Sequence, residues 1–124
     1  MRRPWFPVLG ILSLMALILG GCGPRVAQRV GEARAALEAA RAAGAPMRAA
    51  EGFQAAERAL KESETLLAAG DSSSLLEADF RAAVAAATAH SAVTTAKLST
   101  DLEKAVASAQ AAKQEAERTR AEVD

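Results

Sequence analysis

The sequence predicts an all-α protein: an antiparallel helical hairpin or three-helix bundle that continues into a long C-terminal, coiled-coil-like helix. Three observations point there. Apolar residues recur at steps of four and three along most of the chain from Val26 onward, as on one face of a helix. Two breaks, Gly44-Ala45-Pro46 and Gly70-Asp71, cut that pattern into helix-sized pieces. Alanine supplies more than half of the 51% hydrophobic content, while aromatics make up 3% and Tyr is absent. Alanine has the highest helix propensity, and strands favour the β-branched and aromatic residues that are scarce here.

The elements follow in order. Gly23-Pro24 is a short break, after which Val26, Val30, Ala33, Leu37 and Ala40 form one stripe of a first helix. Gly suits the position just past a helix and Pro cannot continue one, so Gly44-Ala45-Pro46 ends it. A second helix is expected from about Arg48 to Ala69, with Ala49, Phe53, Ala56, Leu60, Ser63 and Leu67 as its buried stripe. Glu57 and Lys61 stand at the favourable i,i+4 spacing. Gly70-Asp71 stops this helix. The similar sizes of the two helices and the short loop between them predict an antiparallel hairpin.

Ser74 followed by Glu77 reads as a capping box for a third helix. Its expected stripe is Phe80, Val84, Ala87, Ser91, Thr94 and Leu98, continuing through Leu102, Ala105, Ala109, Ala112, Ala116, Thr119 and Val123. Thr94, Leu98 and Leu102 make two successive steps of four, a stutter that unwinds a coiled coil locally without ending it. No Gly or Pro interrupts Leu75 to Asp124. A single helix and a pair of helices, the second capped by Thr100 and Glu103, both remain open. The last part of the stripe is mostly Ala and Thr, so it is expected to pair weakly, as a solvated or fraying helix. The expected organisation is residues 1–21, 22–25, 26–98 and 99–124: leader, linker, bundle and helical extension.

The leader has three parts. Arg2 and Arg3 give a positive start, Val8 to Leu19 an apolar run, and Gly20-Gly21 two small residues. That order matches a secretory signal, and the apolar run is short of the roughly 20 residues that a membrane span needs. Leu19-Gly20-Gly21-Cys22 resembles the lipobox of bacterial lipoproteins: a branched aliphatic residue, two small ones, then Cys. Gly20 is a less common choice than Ala or Ser there. The resemblance implies a thioether to diacylglycerol on Cys22, cleavage after Gly21, and fatty acylation of the new amine, with palmitate-type chains. Lipidation would consume the chain's one Cys, which removes the puzzle of an odd thiol in an exported protein.

Residues 26 to about 98 resemble a family of Ala-rich helical lipoproteins classed as domain of unknown function 4398. The matching stretches are Glu32-Ala33-Arg34-Ala35-Ala36-Leu37, Ala45-Pro46, Phe53-Gln54-Ala55-Ala56-Glu57 and Leu67-Ala68-Ala69-Gly70-Asp71. Ser72-Ser73-Ser74 departs from the pattern, since relatives continue sooner into helix. The resemblance implies a helical bundle with no catalytic residues. Some members carry an outer-membrane-protein-A-like domain that grips peptidoglycan, and no such activity is expected of these 124 residues.

Charge and chemistry exclude several classes. The chain holds 15 basic and 15 acidic residues; removing Arg2 and Arg3 with the leader leaves 13 against 15, a net charge of −2. Nucleic-acid binding needs a clustered basic face, and none is present. His90 is the single His and is read as a surface residue. Glu62 and Glu64, and Glu115 and Glu117, are two apart, so a helix points them to different faces. Ser72 to Ser74 lack a base at a suggestive spacing. No enzyme, catalytic residue, metal site, cofactor or small-molecule substrate is expected. The expected role is a structural or scaffolding lipoprotein of the cell envelope, held to a membrane by Cys22; the alternative is an adaptor that binds a partner protein of an envelope complex or self-associates through its helices. Gly23 stands where an Asp would resemble an inner-membrane retention signal, so the expected location is the periplasmic face of an outer membrane. The chain ends in Glu122-Val123-Asp124, without the C-terminal Lys of a peptidoglycan-linked lipoprotein.

Overall fold

The computed structural model describes residues 23–124. They form α1 (Gly23–Ala42), the single turn α2 (Ala45–Arg48), α3 (Ala50–Ala69) and α4 (Ser72–Val123). The described residues are 94% helical and contain no strand, as the all-α reading expects.

The two breaks work through glycine. Among the described residues Gly44 and Gly70 are the two with positive φ, at 82° and 75°, a region that costs other residues a clash at Cβ. Gly44 closes α1, and Pro46 then sits in the first turn of α2, where its missing N–H would have no partner anyway. Ala49, at φ −143°, is the joint between α2 and α3. Gly70 N–H bonds back to the Leu66 carbonyl and ends α3.

Cross-helix pairs set the directions. Arg34 reaches Glu64 at 2.7 Å and Arg41 reaches Glu57 at 3.4 Å, so α1 and α3 are antiparallel. Arg81 meets Glu62 at 3.1 Å and Gly52 lies against Ala92, so α3 and α4 are antiparallel. Arg29 meets Asp79 at 3.2 Å near the start of both helices, and Arg48 reaches Ser99 further along; α1 and α4 therefore run parallel. These exposed pairs contribute at most about 1 kcal/mol each and serve mainly as register marks. Glu57 turns to Arg41 rather than to its own-helix neighbour Lys61, because a partner across the α1–α3 groove is within reach.

The core is thin and alanine-rich. α1 buries Val26, Val30, Ala33, Ala36, Leu37 and Ala40; α3 buries Phe53, Ala56, Ala59, Leu60 and Ser63. Both match the expected stripes, with Ala49 and Leu67 half-buried. Arg41 lies over the Phe53 ring, 5.6 Å from its centroid. Ser63 is fully buried and donates its hydroxyl to the Ala78 carbonyl at 2.7 Å, which satisfies the one buried polar residue among those described.

α4 corrects the expectation. Its buried row is Ala78, Ala82, Ala85, Ala89, Ala92 and Ala96. The expected row faces outward: Phe80 and Leu98 are each 64% exposed and Leu102 66%. The physical reason is volume. α1 and α3 already fill the interior with Val30, Leu37, Phe53 and Leu60, so a third helix docks only through small side chains. A Cβ added at Gly52 would sit 3.6 Å from Ala92 Cβ, which shows how closely α3 and α4 approach.

The start of α4 also differs. Asp71, not Ser74, is the N-cap: its carboxylate accepts from Ser74 N–H at 3.1 Å and from the Ser73 and Ser74 hydroxyls at 2.7 and 2.6 Å. Asp is at least as good a cap as Ser, and it captures the helix earlier. Glu77 pairs with Arg81 at 3.5 Å instead of reaching back. Downstream α4 does not break, which settles one helix rather than two. Thr100 donates to the Ala96 carbonyl within the helix, and Glu103 binds Arg48, so neither caps a new one.

Candidate functional site

The lipobox residues Leu19, Gly20 and Gly21 and the lipidation candidate Cys22 lie outside the described residues. The first described residue, Gly23, opens α1. At that end Arg25 and Val26 line a shallow groove with Ser72, Leu75, Leu76 and Asp79. The start of α1, the end of α3 and the start of α4 therefore share one end of the bundle.

The opposite end is built by α2. Arg48 donates to Glu103 at 2.6 Å and to Ser99 at 3.4 Å. The hydrogen bond and the opposite charge raise the Arg48 pKa and hold Glu103 below its ordinary value. Past this clamp α4 leaves the bundle: every residue from Asp101 to Asp124 is exposed. α4 has 52 residues, about 78 Å at about 1.5 Å each, while α1 and α3 span about 30 Å.

α4 carries two rows. At about 100° per residue, the row of Leu76, Phe80, Val84, Leu98 and Leu102 lies about half a turn from the buried alanines. It is apolar at helical spacing, and its large members are exposed. Sequence reasoning found this row and gave it the wrong neighbour; it missed the alanine row, whose signal was its equally regular spacing.

Several of the residues that invite a catalytic reading have partners. Glu62 pairs with Arg81, and Glu64 with Arg34. Glu117 approaches Lys113 at 4.0 Å. Ser73 and Ser74 serve the Asp71 cap, and His90 is exposed with its carbonyl accepting from Thr94. Hydrogen bonds from Ser74, then from Ser73, hold the Asp71 carboxyl well below the usual carboxylate range. Among the described residues no cluster of His, Cys, Asp and Glu is placed to hold a metal ion, and no helix is long and apolar enough to cross a membrane.

The fold and surfaces define the class of an all-α helical bundle with a projecting helix. No protein-family model, curated protein or solved structure matches the chain.

Proposed function

We propose that this chain is a lipid-anchored, non-enzymatic envelope protein that acts as a spacer or scaffold. In this reading residues 1–21 direct export, Cys22 carries the lipid, and the bundle rests on the periplasmic side of an outer membrane. The observation that supports it best is the parallel course of α1 and α4. Gly23 and the α3–α4 turn share one end, and the exposed part of α4 leaves from the other. An anchor one residue before Gly23 would therefore hold the bundle at the lipid surface and send the C-terminus about 78 Å outward. A single acyl chain binds a membrane only marginally, whereas two or three hold it durably. The mature charge of −2 adds no polybasic attraction, so lipid carries the attachment.

The second reading, an adaptor for another protein, draws support from the outward row of α4. Substituting Cys22→Ala tests the anchor. The variant should stay as a precursor about 2 kDa heavier, at roughly 110 Da for each of the 21 residues, and take up no labelled fatty acid. Normal processing and labelling would overturn the anchor. Density-gradient separation of the membranes tests the location, and recovery with inner-membrane markers would contradict it.

A further inference from the structure

We propose that the outward row of α4 is a second helix-packing seam and that its occupant is a second copy of this chain, aligned in parallel and in register. The inference does not depend on the lipid anchor.

The seam runs from Phe80 and Val84 through the smaller Ala87, Ser91 and Thr94 to Leu98 and Leu102, and on through Ala109 to Val123; its large members are exposed. Beyond Ala96 the Arg48 clamp is the tie that holds α4 to the bundle, yet Leu98, Leu102 and Val106 sit there, each about half exposed or more. Helices in proteins draw most of their stability from packing an amphipathic face, and this stretch has a face with nothing on it.

Charge selects the occupant and its direction. In the extension, Lys113 and Arg120 follow row residues and so take the e positions of a heptad, while Glu115 and Glu122 precede row residues and take the g positions. In a parallel pair, a g residue faces the e residue of the partner's next heptad. Glu115 then meets Arg120 of the second copy, twice over by symmetry. In an antiparallel overlap of the two extensions g faces g and e faces e, which sets Asp101 toward Glu122 and Lys113 toward Lys113.

The geometry allows the pairing. The seam lies half a turn from the alanine row, so the two bundles stand on opposite sides of the paired helices. From Leu76 to Val123 it is roughly 70 Å long and about 10 Å wide. Over both copies this is roughly 1,400 Å², within the roughly 1,200–2,000 Å² of stable specific interfaces.

Disulfide crosslinking tests it. The full chain carrying Cys22→Ser is purified in detergent, which keeps the outcome separate from lipidation. Ala109→Cys and Ala116→Cys place a thiol on the seam, and Ala107→Cys places one on the opposite face of the same exposed stretch. None of these positions touches the bundle. On oxidation both seam variants should form homodimers, several-fold more than Ala107→Cys. Both crosslink to themselves only if the copies are parallel and in register. Glu115→Arg or Arg120→Glu should each lower the crosslinking of Ala109→Cys several-fold, and the two together should restore it. No dimer at the seam, equal dimer at Ala107→Cys, or crosslinking in cells only to a different protein would overturn the proposal.

Discussion

Arg48 and Glu103 stand 2.6 Å apart, joining the single turn α2 to the point where α4 leaves the bundle. Because the ion pair is the last tie along α4, it sets where the bundle ends. Arg48→Ala should leave the helical content of α1 and α3 unchanged while amide exchange around Ser99 to Val106 accelerates. Unchanged exchange there would show that the extension is held by something other than this clamp. Glu103 titrates below its ordinary value because it accepts from Arg48. Its contribution is therefore present above the ordinary Glu range and is lost as pH falls through the lowered folded value.

Asp71 gives a second acid-sensitive point. Its folded pKa lies below the unfolded one, near 3.8, so its contribution is complete above the unfolded value and declines as pH drops below it. Asp71→Asn keeps a capping oxygen without the charge. It should flatten the acid limb of the stability curve between about pH 4 and pH 2, as linkage requires. An acid limb identical to that of the parent chain would count against Asp71 as the group responsible.

The two rows of α4 should respond unequally to added bulk. Ala89 is fully buried, and Ala89→Leu inserts three carbons into a close helix contact, which costs about 1–3 kcal/mol. Ala87 is exposed two residues earlier, and Ala87→Leu should leave the bundle's folding free energy within about 0.5 kcal/mol. Denaturant titration of both variants checks this; an equal loss in the two would mean that the helix is rotated from the orientation described.

Glycine substitutions separate turn from helix. Gly31 lies inside α1 with nothing within 4 Å of an added Cβ, so Gly31→Ala should stabilise by about 0.4–1 kcal/mol. Gly44 sits at φ 82°, and Gly44→Ala should destabilise by about 1–2 kcal/mol, because L-residues pay that much in the left-handed region. Thermal melts that move in the same direction for both would contradict the assignment of Gly44 as the turn.

Much of this molecule was legible in advance, and the reasons are local. Gly44, Pro46 and Gly70 punctuate the chain through backbone sterics that hold in any context. The stripes of α1 and α3 were readable because each of those helices has one apolar face with bulk on it. The Asp71 cap was less legible: Asp71 and Ser74 both satisfy the capping rule, and the choice depends on which one the preceding turn presents to free N–H groups. The leader and the lipobox Cys22 are readings of the sequence, with their own chemical test.

The sequence by itself determined an all-α chain, its two turns, and the faces that α1 and α3 bury, since helix propensity, glycine sterics and apolar spacing all act within a few residues. Only the tertiary structure decided which side of α4 faces inward. Two rows of equal regularity compete on that helix, and hydropathy favours the bulkier one. The decision instead rests on the space that Val30, Leu37, Phe53 and Leu60 leave between α1 and α3. That space admits Ala78 to Ala96 and turns Phe80 and Leu98 out toward whatever α4 meets next.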